Sequence, residues 1–263
     1  MKKFVLALAF VVAIAISGAV MTSIAAEKKK VFDFDYETKD GFIVRSTLTY
    51  PPVEKNSYAM VVLLHSLGYS SEEWGLMKYD FNQAGLAVLE IDFKGHGKSL
   101  NDIHFKRRSW IYLSEKAFSD YPNEVLESLK QVLEQRKDIA QNYVAYVGAD
   151  IGANTAIMAA KSQYPKPVCL ALISPSMEFK GLYVPISLAN AGNIPILAMA
   201  SAKDRKTLSE INDIEKYAQG SYTKRIYEHG GTGMLMLKLN PPMTVDIVNW
   251  VVDEINKKAA GEE

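Results

Sequence analysis

The feature that most constrains the fold is a G-x-D-x-G segment at residues 148–152, which directly follows an apolar β-type run at 143–147. Small and helix-favouring residues come after it. Glycine at both ends of such a segment lets a strand and a helix approach closely around one residue in a strained turn. The segment therefore predicts a strand, a one-residue corner and a helix, with the carboxylate of Asp150 displayed at the corner.

Apolar runs and helical patterns alternate along the rest of the chain. The sequence predicts a β-hairpin over 31–36 and 42–50, with a two-residue turn at Asp40 and Gly41. It further predicts strands at 59–64, 87–91, 143–147, 168–173, 196–200 and 225–227, and helices at 72–84, 121–134, 153–161, 208–218 and 242–257. This alternation predicts one α/β domain, with a doubly wound, mostly parallel sheet and an N-terminal antiparallel hairpin.

The N-terminus has the pattern of a secretory signal peptide. Lys2 and Lys3 precede an apolar run at 4–16, and small residues at 23–26 offer a cleavage site. We therefore expect residues 1–26 to direct export, to the periplasm or out of the cell, and 27–263 to form the domain. The apolar stretch that ends at Met21 is about 18 residues long, near the lower limit for a membrane span. An uncleaved membrane anchor is thus the alternative, and a membrane is an expected partner only in that case.

The composition argues against several kinds of partner. The 30 basic and 30 acidic residues cancel, so the charge balance does not indicate nucleic-acid binding. The one cysteine, Cys169, lies in an apolar run, which predicts a buried and unreactive thiol. No pair of histidines or carboxylates has metal-ligand spacing, and segment 95–99 lacks the spacing of a phosphate-binding loop. We expect no metal and no cofactor, and a small molecule as substrate or ligand.

Four blocks, in order along the chain, resemble the α/β-hydrolase superfamily. The sequence HSLG at 65–68 follows a strand, as the His-Gly-x-Gly loop does there, and 91–99 resembles the D-x-x-G-H-G-x-S loop. Segment 148–152 matches the nucleophile elbow. Asp204 follows a later strand and His229 lies in a glycine-rich loop, which gives the order nucleophile, acid, histidine. The resemblance implies the α/β-hydrolase fold.

Within that superfamily the chain is similar to the capless branch of dienelactone hydrolases and serine aminopeptidases. Only some twenty residues separate the predicted strands 168–173 and 196–200. A helical cap domain needs considerably more chain, so we expect no cap domain and an open site with short loops at its rim.

The resemblance also implies roles for individual residues. The elbow nucleophile would be Asp150, where relatives usually carry serine, with His229 as the base and Asp204 as the acid that orients it. Glu178 is the alternative acid. The expected backbone and oxyanion donors are Ile151, Leu67 and Ser66, which could instead hold the Asp150 carboxylate.

The aspartate changes the chemistry that the elbow can perform. A carboxylate is ionised at neutral pH, but its attack on an ester would give an anhydride, which is no easier to reach than the ester. Attack at a saturated carbon is useful, as in haloalkane dehalogenases and epoxide hydrolases. Those relatives usually have tryptophan where this chain has Ile151, and they carry a cap. Asp150 is therefore a nucleophile, a general base for water, or a residue of an inactive homologue that serves as a binding or scaffold protein.

The histidine is displaced in register. Related capless sequences often contain a His-Gly-Thr-Gly-Met-Leu string, whereas this chain has GGTGML at 230–235. His229 therefore falls one residue early. His65 and His96 precede the elbow, and the base comes late in this order, so we expect both to fill buried or turn-stabilising roles.

Overall fold

The computed structural model describes residues 30–261, so the predicted signal segment 1–26 lies outside the described residues. The described strands are β1 (Val31–Glu37), β2 (Ile43–Thr49), β3 (Tyr58–Leu64), β4 (Ala87–Asp92), β5 (Ile139–Ala149), β6 (Leu170–Ile173), β7 (Glu178–Phe179), β8 (Leu182–Tyr183), β9 (Ile196–Ser201) and β10 (Tyr222–Tyr227). Eight of them form one sheet in the order β1-β2-β4-β3-β5-β6-β9-β10. The pairs β1/β2 and β2/β4 are antiparallel and the other pairs of the large sheet are parallel. The predicted mostly parallel sheet with an antiparallel hairpin edge is confirmed.

Helices cover both faces of this sheet. They are α1 (Leu76–Gln83), α2 (Glu115–Phe118), α3 (Tyr121–Gln135), α4 (Ile151–Ser162), α5 (Val184–Ala189), α6 (Arg205–Glu215), α7 (Gly233–Leu239) and α8 (Pro242–Ala260). Alternate residues of β3 enter two separate buried clusters, Val62 in one and Val61 in the other, because successive side chains of a strand point to opposite faces. Cys169 is fully buried, which confirms its predicted burial, and burial raises the pKa of its thiol.

Two predicted elements differ from the structure for local reasons. The helix predicted over 72–84 is interrupted at Gly75, whose φ of 48° separates a 3-10 turn (Ser71–Trp74) from α1. The two-residue turn predicted at Asp40 and Gly41 is instead a five-residue loop, since Glu37 pairs with Ile43. Thr38 stabilises this loop by accepting the backbone N–H of Phe42 on its hydroxyl at 2.9 Å.

The segment between β6 and β9, where a cap domain would be inserted, contains only short elements. Residues 174–195 contain only the hairpin β7–β8 and the six-residue helix α5 among their regular elements. The expectation of a fold without a cap domain is confirmed. Among residues 30–261, no helix combines the length and the apolar character that crossing a membrane requires.

Candidate active site

Asp150 forms the one-residue corner between β5 and α4. Its backbone has φ 54° and ψ −116°, a conformation that few residues other than glycine adopt. Both flanking glycines are closely packed. A Cβ on Gly148 would lie 2.3 Å from the carbonyl oxygen of Gly152, and a Cβ on Gly152 would lie 2.1 Å from the carbonyl oxygen of Leu64. Strain of this kind persists only where the surrounding structure holds the residue in place. The corner therefore presents Asp150 at the carboxyl ends of the central strands.

Backbone donors hold the Asp150 carboxylate. The N–H of Leu67 donates to Oδ2 at 3.3 Å. Burial raises the pKa of Asp150, and the N–H groups of Ile151 and Leu67, together with the ammonium of Lys206, oppose that rise. Two of the three donors expected from the sequence, Leu67 and Ile151, thus bind the Asp150 carboxylate itself. Lys206, on the first turn of α6, was not identified from the sequence, because nothing in its local pattern links it to the elbow.

A glycine loop covers one side of Asp150. Gly233 has φ 52°, and a Cβ there would lie 2.9 Å from the Cβ of Asp150 and 2.2 Å from the hydroxyl of Ser66. Two hydroxyls fix this loop: Ser174 accepts the N–H of Gly233 at 3.0 Å, and Ser66 accepts the N–H of Met234 at 2.9 Å. Ser66 therefore fastens the loop that follows β10. The glycine-rich string at 230–233 was the only local signal for Gly233, and nothing in the sequence around Ser174 indicates that it binds this loop.

His229 lies at the start of the same loop and is exposed. Its backbone carbonyl accepts the hydroxyl of Ser201 at 2.9 Å, and its N–H donates to Asn240 at 3.3 Å. Within residues 30–261 its imidazole makes no hydrogen bond. The structure therefore brings the His229 backbone beside the end of β9, but it does not join the imidazole to Asp150 or Asp204.

Asp204 caps helix α6. Its two carboxylate oxygens accept the backbone N–H of Thr207 at 3.1 Å and the hydroxyl of the same residue at 2.6 Å. An aspartate at this position stabilises a helix because it satisfies a donor that the helix itself leaves unpaired. The cap also explains why α6 begins at 205, earlier than the predicted 208.

We expect Asp204→Ala to lower the free energy of unfolding by about 1 kcal/mol, since the cap is lost. Urea titration followed by circular dichroism measures the change. Asp204→Asn keeps an acceptor for Thr207 and should retain most of the stability. If Asp204→Ala is as stable as the wild type, then the cap contributes nothing.

Glu178, the alternative acid, lies in β7 and is exposed. One of its carboxylate oxygens accepts the N–H of Gly181 at 2.6 Å and so closes the turn between β7 and β8. In the described part of the chain it makes no hydrogen bond to a histidine.

His65 and His96 are buried and fully hydrogen-bonded. Nε2 of His65 accepts the N–H of Phe93 at 3.1 Å, so Nδ1 carries the proton and donates to the carbonyl of Ser66 at 2.8 Å. Nε2 of His96 accepts the N–H of Gly68 at 3.0 Å, and its ring stacks on Trp110. Burial lowers the pKa of His96 to about 3. Both histidines are neutral and position the loop that carries Leu67, which confirms their predicted structural roles.

A buried lysine anchors the neighbouring loop 92–99. The ammonium of Lys94 lies 3.2 Å from Asp40, 3.4 Å from Asp120 and 3.6 Å from Glu124. Glu124 is itself buried, and one of its oxygens accepts the N–H of Lys94 at 3.1 Å. Burial raises the pKa of Glu124 to about 7, although the Lys94 ammonium opposes the rise. This ion cluster holds the loop whose His96 supports the Asp150 site.

Glu124 should make the stability depend on pH between about 4.5 and 7. A carboxyl with a raised pKa keeps its proton in the folded state after the unfolded chain has released it, so stability falls as the pH rises through this range. The fall attributable to Glu124 is at most about 3 kcal/mol. We expect Glu124→Gln to flatten the profile of unfolding free energy against pH, measured by urea titration from pH 4.5 to 8. An unchanged profile would contradict the prediction.

Among the described residues, no group of three or more histidine, cysteine, aspartate or glutamate side chains could hold a metal ion. The site consists of a carboxylate, backbone donors and hydroxyls. Such a set can perform nucleophilic or general-base chemistry on a small molecule.

Comparisons with known proteins agree with this architecture. The family model described as serine aminopeptidase, S33, matches residues 55–219, more than half of the chain. A 2,6-dihydroxy-pseudo-oxynicotine hydrolase has 14% sequence identity and a TM-score of 0.68, over 86% of this chain and 68% of that one. A lipase in its open form has 14% identity and a TM-score of 0.67 (86% and 98% covered). A dienelactone hydrolase from Anabaena variabilis has 14% identity and a TM-score of 0.59 (86% and 97%).

At these identities the structural likeness shows the fold alone. No curated protein matches the sequence. The family model, by contrast, spans β3 to α6 and includes the elbow. The chain therefore belongs to the S33 serine aminopeptidase family of the α/β-hydrolase superfamily.

Proposed function

We propose that the protein is an exported hydrolase of a small organic substrate in which the Asp150 carboxylate attacks a saturated carbon. One observation carries the proposal: Oδ2 of Asp150 is held by the N–H of Leu67, at the corner where this fold displays its reacting group. The carboxylate is thereby oriented, and Oδ1 is the oxygen that attacks.

The bonds of this reaction balance in two steps. Oδ1 forms a bond to the substrate carbon, and the leaving group departs with the electron pair, which leaves an aspartyl ester. Its carbonyl oxygen is Oδ2, which already faces the Leu67 donor. Water then adds to Cγ and gives up a proton, while Leu67 and Ile151 stabilise the negative charge on Oδ2. The Cγ–Oδ1 bond then breaks, and the alcohol leaves with Oδ1 and with that proton. The regenerated carboxylate contains one oxygen from water.

In this proposal His229 removes the proton from the attacking water, and Asp204 orients its imidazole. The His229 backbone is tethered by Ser201, whose hydroxyl also accepts the N–H of Lys203, next to Asp204. Gly230 and Gly231 follow His229 and give the loop the freedom to turn the imidazole toward Asp150.

A second candidate is a ligand-binding protein without turnover. The observation that favours it is the state of the two assisting residues, since the His229 imidazole has no hydrogen bond within residues 30–261 and both oxygens of Asp204 are engaged by Thr207. In that case the Asp150 carboxylate recognises a ligand and does not react.

Single turnover in H₂¹⁸O separates the candidates. With an excess of enzyme over epoxide and haloalkane substrates, we expect ¹⁸O in the peptide that contains Asp150, detected by mass spectrometry. Asp150→Asn is the matched control and should take up no label under these conditions. His229→Ala should accumulate the substrate adduct on Asp150, because the second step lacks its base.

Two other outcomes would contradict the nucleophile proposal. Turnover without label in Asp150 would make the carboxylate a general base and overturn the nucleophile proposal. Ligand binding without any turnover, in the wild type and in Asp150→Asn alike, would favour the binding protein.

Export is tested separately. We expect cell fractionation to find the protein outside the cytoplasm, with an N-terminus at Ala26 or Glu27 when the purified protein is sequenced. A membrane-bound protein that retains Met1 would support the anchored alternative.

A further inference from the structure

Residues 103–112 form an exposed and firmly held segment beside the site. Asp102 fixes its first turn, since one carboxylate oxygen accepts the N–H groups of His104 and Lys106, both at 2.9 Å. Within that turn Phe105 has φ 59°, and the residue is 80% exposed. A bulky residue in this backbone conformation is strained. Because the ring of Phe105 is exposed, its packing contacts offset little of that strain. The fold therefore presents Phe105 outward at a cost to its own stability.

The segment combines apolar and cationic side chains. Four of its large apolar residues are exposed, namely Ile103, Phe105, Ile111 and Tyr112. Lys106 and Arg107 are exposed as well, and within residues 30–261 neither forms an ion pair with a carboxylate. Arg108 instead ties the segment to the fold, because its guanidinium lies over the ring of Phe42. The surface thus offers apolar contact and uncompensated positive charge together.

We propose that the 103–112 segment docks on an anionic lipid surface. Aromatic and aliphatic side chains enter the boundary between headgroups and acyl chains, while lysine and arginine contact the lipid phosphates. Tyr112 is 84% exposed, so it projects from the protein as Phe105 does and does not line a groove for a peptide. The proposed export would carry the chain across a membrane, into a space that a lipid surface bounds.

The docked segment lies next to the reacting group. Trp110, within the segment, packs against Gly68 so closely that a Cβ on Gly68 would lie 3.2 Å from the indole. Gly68 follows Leu67, whose N–H holds the Asp150 carboxylate. Docking through 103–112 consequently places the Asp150 site at the edge of the lipid surface, whichever chemistry Asp150 performs.

Vesicle flotation tests the docking. Residues 31–261 form a compact unit that contains both buried clusters, so the chain beginning at Glu27 retains both of them. We expect it to float with phosphatidylcholine vesicles that contain about one third phosphatidylglycerol and to dissociate as salt is added. Lys106→Glu/Arg107→Glu should weaken partitioning by about 10-fold or more. Phe105→Asp/Tyr112→Asp should weaken it similarly, and aspartate tolerates the backbone conformation of residue 105.

Matched controls change two cationic and two apolar residues near the amino ends of the strands. Lys137→Glu/Lys161→Glu and Val53→Asp/Tyr164→Asp alter exposed residues, three of them in the loops that precede β3, β5 and β6 and Lys161 in the last turn of α4. These variants should partition like the wild type, and circular dichroism should find all four folded. Equal losses in the control and test variants, or no flotation of the wild type, would overturn the proposal. Binding to soluble polyglutamate without binding to vesicles would replace the lipid with an acidic protein and overturn it as well.

Discussion

Gly152→Ala is expected to prevent stable folding or to lower the free energy of unfolding by about 4 kcal/mol or more. The added Cβ would lie 2.1 Å from the carbonyl oxygen of Leu64 and 2.7 Å from that of His65. Both atoms belong to the backbone of β3 and its following loop, so they cannot rotate away as a side chain does. Alanine is the better helix former by about 1 kcal/mol, which is too little to offset an overlap of this size. Soluble yield and urea titration measure the effect.

Gly230→Ala is the matched control. A Cβ there would meet nothing closer than the Cδ of Lys203 at 3.8 Å, an ordinary contact. We expect its stability to remain within about 0.5 kcal/mol of the wild type. Wild-type stability of Gly152→Ala, with a loss of stability in Gly230→Ala, would contradict the prediction. It would mean that position 152 has room for a Cβ and position 230 does not.

Lys94→Met is expected to destabilise the protein by about 3–5 kcal/mol near pH 8, because it leaves buried Glu124 without its cation. Asp40 and Asp120 are partly exposed and can be solvated, so most of the cost falls on Glu124. Loss of the ammonium raises the pKa of Glu124 further above about 7, and protonation then removes the unpaired charge. The destabilisation should therefore shrink as the pH falls toward 5.

Urea titration at pH 5 and pH 8 tests whether the destabilisation by Lys94→Met is smaller at the lower pH. Lys39→Met, which changes an exposed lysine that lines the same surface pocket as Lys94 and Glu124, should have little effect at either pH. The double variant Lys94→Met/Glu124→Gln should recover much of the stability at pH 8, since it leaves neither member of the buried Lys94–Glu124 pair charged. A loss that grows as the pH falls would mean that Glu124 is not the group left unpaired.

Much of the elbow could be predicted from residues adjacent in sequence. Gly148 and Gly152 flank Asp150 because any Cβ at those two positions would overlap backbone atoms. The order of strands and helices was predictable for a similar reason, since continuous apolar runs mark strands that are buried on both faces. The start of α6 was missed by three residues because the cap at Asp204 was interpreted only as a candidate acid.

The surroundings of Asp150 could not be predicted in the same way. Ser66 accepts the N–H of Met234 from 168 residues away, and Ser174 accepts the N–H of Gly233 from 59 residues away. The order of these residues along the chain does not predict that the two serines contact the glycine loop. The contacts form because β3 and β6 end at the same edge of the sheet as β5. The position of the His229 imidazole depends likewise on how the glycine loop is fastened.

The α/β-hydrolase fold and the carboxylate at its strand-to-helix corner follow from local sequence, because backbone sterics and side-chain periodicity act over a few neighbouring residues. The surroundings of that carboxylate follow from tertiary packing alone: the Leu67 and Ile151 donors engage Asp150, Gly233 packs against it, and Asp204 caps a helix. Those contacts join residues distant along the chain, and packing of the strands, helices and loops brings them within reach of one another.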